Sequence, residues 1–464
     1  VVVPSVVKRS PAAAIMGRSE SAAQVFRSRD LIRVRLPALL RQLGQLALLG
    51  LLVGLACLPF NLLDRWQDAL LQQLPSFSGK PWRFETLLLA ASPLLTVPLL
   101  LLLQRGVWAE GAGSGIPQTM ASVEDPAQAD RLLGPCPTLK RLGLWAIATL
   151  SLLPLGREGP VVQVGAAVAQ GLRRRFPRFL GSLSQADLLA VAAGAGLAGG
   201  FNTPLMGVVF VAEEFTNRFA AALVWPALVI CGVAAAFSNL TGQPEFALGT
   251  LGVEPIELMQ VLWAIPIGVL GGLLGAGFGL LLLAFTRFCL GWSRRHPLAL
   301  GLAVGALLSL FLLVSGGGGG GDGEALMGLM ISGGSPAGAL GDGLFGDLII
   351  LVVRVLGPVL ALGTGIPGGL IDPAFAFGAL LGRGVGELAG VAGLGLALGM
   401  AAGLAGATQL PVITVLFALR LAGDQQLLPG MLVAAVLAAL VSRLVLPQPI
   451  YHALAEVTRR PAPG

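Results

Sequence analysis

An arginine and a glutamate stand side by side in Gly156-Arg157-Glu158-Gly159-Pro160, with Leu-rich sequence from Leu142 to Leu155 before them and Val161 to Ala169 after them. Charged side chains at membrane depth are costly and are as a rule functional. Gly159 followed by Pro160 reads as a helix start with Pro at the first helical position, where its missing N–H is no loss. A helix N-terminus offers unpaired N–H groups and partial positive charge, so it attracts an anion. Glu158 is expected one residue before that start, where its carboxylate can take the anion's place. The plainer reading is a helix cap in which Arg157 and Glu158 neutralise each other.

Three more stretches carry polar chemistry in apolar surroundings. Gly113-Ser114-Gly115-Ile116-Pro117 sets a hydroxyl between two glycines, so the hydroxyl and nearby backbone N–H groups can donate together to an anion. Ser114 could equally pack between helices. Gly368-Gly369-Leu370-Ile371-Asp372-Pro373 repeats the glycine-to-proline pattern, and Asp372 before Pro373 suits an N-cap. Ionised at that place, Asp372 would also repel an anion. Tyr451 is the one tyrosine of the chain, and a residue of the interfacial aromatic belt is the plainer reading of it. Glu213 and Glu214 follow the helix start at Pro204 by about three turns. Adjacent residues on a helix diverge, so only one of the two can point inward; two solvated acids at a helix end is the alternative.

Positioning such groups needs a particular scaffold, and composition names it. Of 464 residues, 55% are hydrophobic and 12% charged, against roughly 25% charged in soluble domains. This describes a polytopic membrane protein. The 66 glycines suit close helix approach. Lys8, Arg9, Arg18, Arg27, Arg29, Arg33, Arg35 and Arg41 crowd the N-terminal end and place it in the cytoplasm. They flank an apolar span without an aromatic platform, which speaks against nucleic acid. The four cysteines are far apart and the two histidines are too few for a His-based metal centre, so no metal, cofactor or disulfide framework is expected. No cleavable signal peptide is expected either.

Residues 1–35 read as a basic cytosolic segment. Apolar segments follow near 43–60, 86–104, 141–155, 187–200, 222–240, 258–286, 298–314, 347–362, 389–406 and 428–446. Several fall short of the roughly 20 residues of a straight span, and many are bounded by proline. Short, broken helices belong where they line a cavity or are buried in protein. The glycine run 316–321 reads as a flexible loop. Ala195-Gly196-Leu197-Ala198-Gly199 recurs as Ala402-Gly403-Leu404-Ala405-Gly406 (402 − 195 = 207), and Pro204 recurs as Pro411 at that offset. Gly156, Pro160 and Gly165 recur as Gly369, Pro373 and Gly378 (369 − 156 = 213). Paired interrupted helices in two halves point to a substrate site at their interface.

The order and spacing of G-S-G-I-P, G-R-E-G-P, G-G-L-I-D-P and the late tyrosine closely resemble the CLC family of chloride channels and chloride/proton antiporters, over nearly the whole chain from about residue 40. The resemblance implies an all-α membrane protein with the CLC inverted-repeat fold over residues 36–464, the first repeat at about 86–240 and the second at about 258–446. It implies chloride bound by Ser114, the amides of Leu370 and Ile371, and the Tyr451 hydroxyl. Glu158 becomes the gate, competing with chloride when ionised and carrying a proton when protonated. Glu214 becomes the internal proton acceptor. Glu213 and Asp372 are read from the residues themselves as modifiers, Asp372 being a departure from the family, which usually carries a small or apolar residue there. Arg157 is expected to point away from the ion path and brace its loop. The transported ions are then chloride and protons, in a homodimer in the inner membrane, in a compact prokaryotic form without CBS domains. A passive chloride channel is the alternative, although channels of this family usually lack an acid at the Glu214 position. Ser114 and the intact G-R-E-G-P disfavour a fluoride-selective relative. An intramembrane serine protease would need G-x-S-G, and Ala112 stands where its first glycine belongs.

Overall fold

The computed structural model describes residues 11–216, 218–240, 251, 258, 262–336 and 343–459, with side chains described from Leu36 onward. The first ten residues of the basic segment and part of the opening of the 258–286 stretch lie outside them. Among the described residues the protein is all helix apart from turns and one isolated β-bridge.

Helix α1 (Pro11–Leu71) runs unbroken through residue 35, so the expected boundary between basic segment and membrane domain is not a break in the backbone. α2 (Phe84–Arg105), α3 (Ile116–Glu124), α4 (Pro135–Leu150), α5 (Glu158–Arg175), α6 (Gln185–Phe201), α7 (Pro204–Phe210, continued by a π turn at Val211–Phe215) and α8 (Ala221–Ser238) follow. α9 (Ala264–Arg295), α10 (Pro297–Val314), α11 (Glu324–Ile331), α12 (Leu344–Gly363), α13 (Ile371–Leu388), α14 (Ala392–Thr408), α15 (Pro411–Ala422), α16 (Leu428–Val445) and α17 (Ile450–Arg459) complete the chain. Seven of the described helices are long and apolar enough to cross a membrane.

The repeat read from sequence has a structural counterpart. α5 and α13 are each 18 residues long, and α6 and α14 each 17. α5 packs on α6 as α13 packs on α14. In both pairs a glycine lets the backbones touch: a Cβ on Gly165 would strike Ala192 O and Gly196, and one on Gly378 would strike Gly399 O and Gly403. α6 and α14 both end on a non-glycine residue in the left-handed region, Asn202 (φ 50°) and Gln409 (φ 62°), and Pro204 and Pro411 then open α7 and α15. At 17 residues α6 and α14 are about 25 Å long, less than the ~30 Å apolar thickness of a bilayer. Their residues are almost all buried, so they sit inside protein, as short helices at this depth must. Longer helices such as α2 and α9 instead expose leucines suited to lipid, among them Leu88, Leu95, Leu273 and Leu281.

Two local expectations are corrected. The glycine run 316–321 is buried and held: the Arg354 guanidinium donates to the carbonyls of Gly318, Gly320 and Gly321 at 2.8, 2.7 and 2.8 Å. Glycine leaves backbone carbonyls open enough for one guanidinium to gather three of them, a contact that composition does not reveal. The helix starts also differ. α5 begins at Glu158 and α13 at Ile371, so Pro160 and Pro373 are third residues rather than first. The third N–H of a helix is also without an intrahelical acceptor, so proline loses nothing there.

Candidate functional site

The two repeats meet where Gly156 and Gly369 form an antiparallel bridge, with N–H donated to the opposite carbonyl at 3.0 and 2.8 Å. The bridge sets the first turns of α5 and α13 side by side. The loop before α3 closes the third side. Its Gly113 and Gly115 have φ of 88° and 113°, conformations that favour glycine. A Cβ on Gly159 would strike Ser114 O, Ser114 Oγ and Gly368 O, so all three loops converge on that residue.

Glu158 is fully buried, and its Oε1 accepts the Asp372 N–H at 2.9 Å. The Ile371 amide also lies near the carboxylate. The glutamate of one half therefore sits on the helix N-terminus of the other half, in the place a bound anion would take. Leu370 is the residue before the first turn of α13 and Ile371 the first within it, so the amides expected to face the ion stand at that terminus. Ser114 Oγ, Tyr451 Oη and Glu158 Oε2 are buried and have no hydrogen-bond partner among the described residues. Buried polar atoms are nearly always satisfied. Orphaned donors around a helix N-terminus fit an anion such as chloride. Tyr451 is 1% exposed, on a helix that packs against α3, and its hydroxyl interacts electrostatically with Glu158, Glu214 and Asp372. It is a core residue here, not a belt residue.

Arg157 is committed to other acids. Its guanidinium pairs with Asp64 and, at 2.9 Å, with Glu324, and it lies 4.7 Å from the Phe201 ring centroid. Glu158 is thus not neutralised by its neighbour. Asp64, Asp322 and Glu324 each bring a carboxylate oxygen within 4.8 Å of the others, but the guanidinium already supplies the cation to two of them.

The acids after Pro204 separate as helix geometry requires. Glu214 is buried. Glu213 turns outward and accepts the Val412 and Ile413 N–H groups at 3.1 and 2.7 Å, capping α15. Asp372 does not cap its helix: both carboxylate oxygens are buried without a hydrogen-bond partner among the described residues. It is the second helical residue, past the position from which a side chain reaches back to the first-turn amides.

Sequence reasoning missed Asp64 and Glu324 as the partners of Arg157, and it gave His452, which lies beside Glu214, no role. It also missed Arg141. This buried guanidinium donates to the carbonyls of Ala112 and Gly113 at 2.8 and 3.0 Å, and also to Gln163. It braces the Ser114 loop much as Arg354 braces the glycine run. A signal existed, because Arg141 and Arg354 are related by the offset of the repeat (354 − 141 = 213).

A model of the voltage gated chloride channel family matches residues 96–443. The chain belongs to this family. Among its relatives, the H(+)/Cl(-) exchange transporter ClcA of Cronobacter sakazakii is 30% identical over 88% of this chain and 88% of its own. The ClcA transporter of Vibrio cholerae is 30% identical over 75% of each chain. A slow cyanobacterial Cl-/H+ antiporter shares the fold at a TM-score of 0.72 and 22% identity, covering 90% of this chain and 99% of that one. A CLC-type fluoride/proton antiporter does so at a TM-score of 0.70 and 23% identity, covering 89% and 98%. The CLC inverted-repeat fold and a multi-pass membrane protein follow.

Proposed function

We propose that this protein exchanges chloride for protons across the membrane. The observation that carries the reading is the Glu158 carboxylate on the N-terminus of α13, where carboxylate and chloride compete for the same amides. Ionised, Glu158 closes the outer path. Protonated, it loses its claim on the helix terminus and leaves with its proton. Ser114, the Leu370 and Ile371 amides and Tyr451 form the central chloride site in this reading. Helix amides and hydroxyls hold an anion moderately, as turnover requires, where a full cation would retain it.

Glu214, buried and with His452 Nδ1 3.6 Å from its carboxylate, serves as the inner proton acceptor. A passive channel would need no such acid, and relatives that are H(+)/Cl(-) exchange transporters speak for exchange. The protein works as a transporter rather than an enzyme, in the inner membrane. A homodimer with one path per subunit is carried by the family resemblance, and subunit counting by photobleaching in liposomes tests it.

Reconstitution decides the central point. In liposomes a chloride gradient should drive protons uphill against their own gradient. Chloride flux with no proton movement would leave a channel.

A further inference from the structure

α17 carries two polar residues in succession that face different surroundings. Tyr451 is buried against the ion path, while His452 is 40% exposed in its side chain. Its Nδ1 lies 3.6 Å from Glu214 Oε1, and the Glu214 side chain is 1% exposed. Both of these atoms are themselves buried, and neither has a hydrogen-bond partner among the described residues. The exposed part of the imidazole is therefore on its other atoms. One edge of the ring meets solvent and the other meets a carboxylate that solvent does not reach.

Imidazole is the side chain suited to such a position, because near neutral pH it can accept a proton at one nitrogen and release one at the other. We propose that His452 is a proton-relay residue that loads Glu214 from the aqueous face of the membrane. Nε2 takes a proton from water, giving imidazolium. Nδ1 then passes its proton to the Glu214 carboxylate, leaving a neutral ring protonated at Nε2 and a neutral acid. A flip of the half-exposed ring brings Nδ1 to water, where it takes up a proton while Nε2 gives one up, and the return flip resets the relay. Only protons move, and the donor and acceptor nitrogens belong to one ring. The separation of 3.6 Å is a few tenths beyond a hydrogen bond, and a small rotation of the ring closes it.

The ionisable groups around this pair come from several elements. Glu213 precedes Glu214 in the π turn, and Arg443 of α16 acts electrostatically on Glu213. α3, α9 and α14 pack against α17. Of the described side chains, α3 carries Glu124, α9 carries Arg287 and Arg295, and α14 has no charged residue. Tyr451 and Glu456 share the helix of His452. None of these has a ring that joins solvent to Glu214, and Glu213 is committed to capping α15.

The proposal rests on Glu214 being the inner proton acceptor, so the experiment tests the two separately. Full-length protein is reconstituted in liposomes, and chloride-driven proton flux is followed with a pH-sensitive dye between pH 5 and 8. His452→Gln and His452→Ala should lower proton flux about tenfold or more and raise the chloride-to-proton ratio. Both should change the pH dependence of proton flux, because the relay group is gone. Free imidazole should restore flux in His452→Ala, and both variants should melt with the parent. Parent-like flux and profile in both variants, while Glu214→Gln uncouples, overturn the relay and leave Glu214 standing. A Glu214→Gln protein that still couples overturns the underlying assignment and the relay with it. Lost flux without imidazole rescue, with an unchanged profile, assigns His452 to packing and also overturns the relay.

Discussion

Replacing Glu158 with Gln separates the two ions most cleanly. The wild-type carboxylate accepts the Asp372 N–H at 2.9 Å in a fully buried site. A hydrogen bond to a charged group is worth ~1.5–3 kcal/mol and a neutral one ~1 kcal/mol. The amide therefore competes with an incoming anion more weakly by about 0.5–2 kcal/mol, which corresponds to about 2- to 30-fold tighter chloride binding. The amide also cannot carry a proton. Calorimetric titration of chloride into purified protein reads the first effect, and a proton-flux assay in liposomes reads the second. The expected result is tighter chloride binding, continuing chloride flux and no coupled proton movement. Uphill proton pumping by Glu158→Gln, or chloride affinity no higher than the parent's, would refute competition for the α13 terminus.

Three other substitutions probe the surroundings of the gate. Tyr451→Phe removes only the hydroxyl and should weaken chloride binding about fivefold or more, the equivalent of ~1 kcal/mol; unchanged calorimetric affinity would assign the hydroxyl to another task. Asp372→Ala should bind chloride several-fold more tightly wherever the carboxylate is ionised, with the gap closing as pH falls and it is protonated, and equal affinities from neutral to alkaline pH would show a carboxyl that the anion does not sense. Arg157→Met leaves Asp64 and Glu324 without their cation and should cost ~3–5 kcal/mol of stability, read as a lower melting temperature in detergent; a variant melting with the parent would mean that these acids have other partners.

Much of the site was legible because glycine, proline and isolated charges in apolar sequence have few explanations. The repeat offsets 207 and 213 anticipated the paired helices and the seam where Glu158 meets α13. Contacts that span the sequence were hidden. Nothing local ties Arg157 to Asp64 and Glu324, or Arg354 to a glycine run that reads as loose. Asp-Pro looked like a cap because the pair suits one, yet the helix starts earlier and leaves Asp372 inside the first turn. Glu213 and Glu214 are alike on paper. Only the position of the α15 terminus makes one a cap and leaves the other buried. His452 was passed over because its significance depends on which atom lies 3.6 Å away.

The Arg157–Glu324 pair has a consequence for biosynthesis. Its members are separated by 167 residues, and the amide that receives Glu158 comes 214 residues later than the glutamate. At roughly 5–20 residues per second, the first half of the chain waits about 10–30 seconds in the bilayer with Asp64 as the one carboxylate yet paired with Arg157. Glu158 waits longer, its helix terminus not yet synthesised. The seam between the two halves is therefore among the last parts of the molecule to exist, and an N-terminal fragment ending before Glu324 would hold an incompletely paired guanidinium inside the membrane. Such a fragment is the kind of intermediate that membrane quality control would recognise, so truncation should be met by degradation rather than by a leaking half-channel.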